Sequence, residues 1–134
     1  MNITVIEQPK RFWFSTKTCL DNYEWQPVVG HQIKVGEYSF FAAALPGNVL
    51  NVSEVTTGCK VFETKLTILD IMHLSTKEEM MIFYRDYVGE KLKEALERVP
   101  DFEQQLIDMQ EKQKVLFGNM PEIEDVDESL IIKE

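Results

Sequence analysis

Three observations predict an α+β fold, with an N-terminal antiparallel β-sheet of about five strands, then a C-terminal αα-hairpin and an acidic tail. Runs rich in β-branched and aromatic residues fill the chain up to Phe62, punctuated by Pro and Gly turns. From Ser75 onward, apolar residues instead recur every three or four positions, as one face of a helix requires. The last sixteen residues carry one basic and six acidic groups. Residues 1–118 therefore read as one domain and 119–134 as a solvated acidic tail. The terminal triplet Leu130-Ile131-Ile132 also fits a segment that docks on its own sheet or on a partner.

Asn2 to Glu7 sets Ile3 and Val5 against Thr4 and Ile6, a short strand that Pro9 ends. Arg11 to Ser15 is a second strand, dense in aromatics. The polar stretch from Thr16 to Glu24 reads as a loop. Trp25–Val29 and Gln32–Val35 read as strand pieces interrupted at Gly30-His31, and Gly36-Glu37 as a hairpin turn. Next comes the central hairpin, Tyr38 to Phe62. Leu45-Pro46-Gly47-Asn48 has proline to set φ near −65° and glycine to take positive φ, the type II turn pattern. On the returning arm Leu50 and Val52 share a face with Glu54 and Thr56, while Val49 and Val55 share the other with Asn51 and Ser53. This pattern predicts a strand running from the core out to a polar rim. Leu66 to Leu74 fits a buried strand or a short helix equally well.

Ser75-Thr76-Lys77-Glu78 has the spacing of a helix capping box. From Met81 and Tyr84 through Val88, Leu92 and Leu96 a stripe runs on to Val99, and Pro100 ends it. Asp101 can cap a second helix carrying Phe102, Leu106, Met109 and Leu116 up to a Gly118 stop. Such a hairpin must bury its seam against the sheet or a second copy of the chain.

The bulk properties narrow the function classes. With 134 residues and 44% hydrophobic content, the chain can bury a core without metal or disulfide staples. No apolar run approaches the ~20 residues that span a bilayer, and no basic region followed by an apolar core opens the chain. The expected location is the cytoplasm, where Cys19 and Cys59 would be reduced, packed thiols. A formal net charge of −9 argues against nucleic-acid binding as the main role, because phosphate contacts need clustered Lys and Arg.

No motif announces chemistry. The two histidines, His31 and His73, show no metal-ligand spacing, the cysteines are forty residues apart, and no nucleotide fingerprint or nucleophile elbow is present. No metal, cofactor or catalytic residue is expected. Among the clustered aromatics, Phe12 and Phe14 read as one core-facing side of a strand. Trp13 and Trp25 fit equally well as core or as platforms that stack a ring, with Lys17 near.

Val52-Ser53-Glu54-Val55-Thr56-Thr57-Gly58, followed by Ser75-Thr76-Lys77-Glu78-Glu79, resembles small phage and prophage proteins of Gram-positive bacteria. Those proteins carry a Val-Thr-Glu-x-x-Thr-Gly turn and then a Thr-Lys-Glu-Glu-Ala helix start. Here Ser53 stands for the threonine, Met80 for the alanine, and the connection from Glu63 to Leu74 is longer. The resemblance covers a minority of the chain. It implies a host-defence antagonist, of the kind that sequesters nucleotide signals as an oligomer, working in the host cytoplasm.

The leading expectation is thus a non-catalytic binding protein, a homo-oligomer through its C-terminal helices. Its ligand-binding residues would be Trp13, Lys17, Trp25, Glu54, Thr56 and Thr57, its partner a small nucleotide-like ligand or a host protein. Neither direct nucleic-acid binding nor a membrane is expected. An alternative is an acidic interaction module that inhibits a host protein or mimics nucleic acid. A second alternative is a small enzyme with a site between subunits, drawing on Cys59 or His31.

Overall fold

A computed structural model describes residues 1–17 and 22–127. It bears out the α+β fold. The strands are β1 (Ile3–Val5), β2 (Lys10–Lys17), β3 (Tyr23–Val35), β4 (Tyr38–Leu45), β5 (Val49–Glu54), β6 (Lys60–Lys65) and β7 (Glu124–Asp125). The helices are α1 (Ile68–His73), α2 (Lys77–Phe83), α3 (Gly89–Arg98) and α4 (Phe102–Phe117), with a π-helical turn at Tyr84–Val88 joining α2 to α3. Among the described residues the sheet has seven strands, in the order β6-β5-β4-β3-β2-β7 with β1 on β3; β1 is the short strand expected near the N-terminus, and β7 is the strand that was not expected.

The first departure from the sequence reading is β3. It is one thirteen-residue strand rather than two pieces. Gly30 lets it bend: a Cβ there would stand 2.3 Å from the Ala42 carbonyl oxygen, so only glycine permits the approach. The first half of β3 pairs with β2 and its second half with β4. The sheet curls until the outer edge of β2 meets the β5–β6 turn, where the Ser15 N–H donates to the Gly58 carbonyl at 3.1 Å.

Curling creates two cores, and neighbouring residues split between them because successive strand side chains point to opposite faces. Phe40, Ala42, Ile33, Val35, Leu50 and Val52 meet Tyr84, Val88, Leu92 and Leu96 of the helical layer. That helical stripe was legible in the sequence. Phe41 and Ala43 instead meet Phe12, whose ring stacks on Phe41 at 4.5 Å and 1°. Phe14, Val28, Val55 and Ile123 pack around them. The supposed polar rim is enclosed: Asn51, Ser53, Glu54 and Thr57 are all buried. Ser53 Oγ donates to Asn51 Oδ1 at 2.6 Å, which satisfies the polar groups that burial would otherwise strand.

Several local readings change. Residues 66–74 yield α1, and the capping box lies here: Thr67 accepts from the Asp70 N–H, and Asp70 accepts from the Thr67 N–H. The N-cap of α2 is Thr76, not Ser75, and it accepts from the Glu79 N–H at 3.1 Å. Asp101 caps nothing with its side chain because its φ of 54° is left-handed; Gln105 Nε2 satisfies the Pro100 carbonyl there instead. In the hairpin turn Gly47 takes φ 85° as expected, and Asn48 joins it at 59°, giving a three-residue loop closed by Leu45 opposite Val49.

The acidic segment is not wholly solvated. Trp13 Nε1 donates to the Glu122 carbonyl at 3.0 Å, Ile123 enters the second core, and β7 pairs with β2. The terminal apolar triplet and Cys19 lie outside the described residues, as does the side chain of His73. No helix among the described residues is long and apolar enough to cross a membrane.

Candidate functional site

The β5–β6 turn, Glu54 to Cys59, is built around one buried carboxylate. Glu54 Oε1 accepts from the Thr57 N–H at 2.7 Å, and Thr56 Oγ1 lies 2.8 Å from both carboxylate oxygens. The Gly58 N–H closes the turn on the Glu54 carbonyl at 2.9 Å, and Gly58 has φ +68°. Its Cβ position would fall 2.6 Å from the Trp13 carbonyl oxygen and 3.0 Å from a Trp25 ring carbon, so glycine is required on steric and conformational grounds together. Sequence thus reads as structure here: carboxylate, two threonines and glycine lock a tight turn against β2 and β3.

Helix α4 grips this turn with amides. Gln110 Nε2 donates to Thr56 Oγ1 at 2.8 Å, and Gln113 Nε2 donates to the Thr57 carbonyl at 3.0 Å. Gln113 is the buried residue of α4. The expected apolar stripe is therefore only half right: Phe102 and Leu106 face inward, but Met109 and Leu116 are exposed and two glutamines continue the inward face.

Two hollows flank the turn. On one side, Glu54 and Thr57 line an apolar cavity of about 200 Å³ with Phe40, Cys59, Phe102 and Leu106. On the other, Trp25 and Thr56 line a polar hollow of about 180 Å³ with Gln110, Gln113, Lys114 and Asn119. The Trp25 ring leans on Phe117 at 5.1 Å, and Tyr23 meets the same ring edge-on at 5.2 Å. The Trp25 indole N–H is buried and has no hydrogen-bond acceptor among the described residues. An indole nitrogen only donates, so leaving it unpaired costs about 1–3 kcal/mol.

Of the six expected ligand-binding residues, the polar hollow brings Trp25 and Thr56 together. Glu54 and Thr57 lie across the turn, with the Glu54 oxygens already bonded. Lys17 Nζ sits 5.8 Å over the Tyr23 ring, separated from Trp25 by two rings, Tyr23 and Phe117, and does not line the hollow. Trp13 is tied to the C-terminal segment and lines neither cavity. Gln110, Gln113, Lys114 and Asn119 were missed. Their sequence signal is a polar break, Gln-x-x-Gln-Lys, in an otherwise apolar helical stripe.

The residues considered for catalysis have separate neighbourhoods. Cys59 is half-buried, its Sγ 3.8 Å from Ser15 Oγ. His31 is buried against Tyr84 at 5.7 Å, where burial pushes the tyrosine hydroxyl pKa up. Among the described residues no three His, Cys, Asp or Glu side chains converge as a metal set.

No protein-family model matches this chain, and no curated protein or solved structure matches it either.

Proposed function

We propose that this protein is a non-catalytic binding protein that holds the ring of a small, nucleotide-like ligand in the Trp25 hollow. The observation that carries this reading is Trp25 itself, a half-buried platform whose N–H lacks an acceptor among the described residues, lining a hollow with three side-chain amides and a lysine. A π-face stacks any base, amides pair with ring edges as donor or acceptor, and an ammonium attracts phosphate. The hollow is smaller than the ~300 Å³ at which drug-sized sites begin, so it suits one ring with its phosphates left at the mouth. Sequestration of a nucleotide signal, the role implied by the phage-protein resemblance, needs such binding without turnover. Self-association through α4 fits the same reading, because Val115 is 85% exposed and Ile107 42% exposed on the helix that grips the turn.

Titration of a Trp13→Phe background with AMP tests this, since Trp25 is then the sole tryptophan. Saturable quenching that Lys114→Glu weakens supports the reading. Fluorescence unchanged up to millimolar AMP and inorganic phosphate contradicts it.

A second reading, a protein-interaction module, is favoured by α1. Ile68, Leu69 and Met72 are 76%, 68% and 66% exposed on one short helix, an apolar patch of the kind that protein partners cover. Capture of a host protein that Leu69→Asp abolishes, with AMP binding absent, would favour it over the first.

A further inference from the structure

The apolar cavity on the other side of the Glu54–Cys59 turn has the makings of a second site. Its walls include Phe40, Val61, Val99, Phe102, Leu106 and Met109, and it measures about 200 Å³. Apolar cavities of about 150 Å³ stay dry and take benzene, so this one has room for a ring with a short arm. Strand pairing brings a charge to it. Glu54 stands opposite Phe40 in the β4–β5 register, and directly opposed residues share a face. Its side chain therefore lies on the face that Phe40 turns to the helical layer. Glu54 lines the cavity and is only 5% exposed.

A carboxylate taken out of water needs hydrogen-bond donors and a positive charge, and only the donors are present. The Thr57 N–H donates to Oε1 at 2.7 Å, and the single Thr56 hydroxyl proton has both oxygens at 2.8 Å. An ionised carboxylate offers about four lone-pair sites, so two donors leave acceptor capacity unused. The Gln110 amide reaches Thr56 rather than the carboxylate. Among the described residues no lysine or arginine pairs with Glu54. Lys60 shares the cavity wall, but its Nζ lies 3.6 Å from Glu63 Oε2, and both of those side chains are half exposed.

We propose that this cavity binds a small aryl-alkyl amine, its ring among the apolar walls and its ammonium donating to Glu54. Each half of such a ligand answers one feature of the site. The ring fills a dry apolar volume, and the ammonium brings three donors and the missing positive charge. A neutral ring leaves the carboxylate uncompensated, and an acid sets a second negative charge beside it. The cavity lies across the turn from the Trp25 hollow and does not rest on nucleotide binding there.

A residue-resolved amide NMR titration with phenethylamine tests this, with phenethyl alcohol and hydrocinnamate as neutral and acidic counterparts. The amine should shift the Val61, Leu106 and Met109 amides saturably. It should bind about tenfold or more tightly than either counterpart, as a charge-assisted hydrogen bond requires. Glu54→Gln keeps an acceptor oxygen for the threonine donors but removes the charge, and should erase the preference for the amine. Met109→Trp, at the partly exposed wall, should weaken all three compounds. The ligand comparison on the unmodified protein decides the matter even where Glu54→Gln fails to fold. Absence of saturable shifts at millimolar amine overturns the proposal, as does alcohol binding as tight as that of the amine. A preference for the amine that survives in folded Glu54→Gln overturns it, as does amine binding untouched by Met109→Trp. Tighter binding of hydrocinnamate overturns it in favour of acids held by Lys60. Amine shifts confined to Trp25 and Lys114 overturn it by placing the amine in the other hollow.

Discussion

Helices α3 and α4 lie in one chain, joined by a tight turn at Pro100-Asp101, yet they attach to the sheet by different physics. The layer containing α3 buries Tyr84, Val88, Leu92 and Leu96 at four-residue steps, a dry apolar seam. Along α4, Gln110 and Gln113 hold Thr56 and Thr57, and apolar residues such as Val115 are left outside. Burial of apolar surface is non-directional and tolerates sliding, whereas amide hydrogen bonds fix position and direction. Helix α3 therefore holds the fold together, while α4 sets the shape of the turn and of the hollow beside it.

Breaking each seam separates the two roles. The largest effect belongs to Leu92→Ala. Leu92 is fully buried, so removing its branches should cost about 2–5 kcal/mol in urea unfolding while AMP quenching of Trp25 persists at saturating folded protein. Gln113→Ala comes next. It leaves the buried Thr57 carbonyl without its donor and should cost about 1–3 kcal/mol, and unlike Leu92→Ala it should also weaken AMP binding by reshaping the hollow. Val115→Asp is the smallest. At 85% exposure it should shift unfolding stability by only about 0.5 kcal/mol or less, but sedimentation should show reduced self-association if α4 forms the oligomer contact.

How much of this was legible follows the same division. The sheet and the α3 stripe were readable because both rest on hydrophobic periodicity, which one-dimensional spacing records. The inward face of α4 was not, because a period count of apolar residues passes over Gln110 and Gln113. β7 was hidden for a similar reason: Glu124-Asp125 has poor strand propensity, and its pairing follows from the burial of neighbouring Ile123 and the anchoring of Glu122 by Trp13. At the site, residue type pointed to Trp25 and Thr56, which do share a hollow. Trp13 has the same chemistry, but a backbone carbonyl takes its N–H. Glu54 looked like an exposed recognition group because its strand turned polar, whereas threonine donors two and three residues on allow it to be buried. Sequence gives the chemistry of a side chain; partners brought from elsewhere in the fold decide whether that chemistry is spent internally or left available.

The central hairpin thus divides at its polar end, where the Glu54–Cys59 turn is structural and the hollow beside it is the candidate site. The most direct test is native mass spectrometry of the full-length protein purified from cells, with Trp25→Ala and Lys114→Glu beside it. The unmodified protein should retain an intact nucleotide-like compound, released unchanged on heating and absent from both variants. Equal retention by folded variants, recovery of only a degraded product, or no retained compound together with no AMP binding would contradict the proposed binding role.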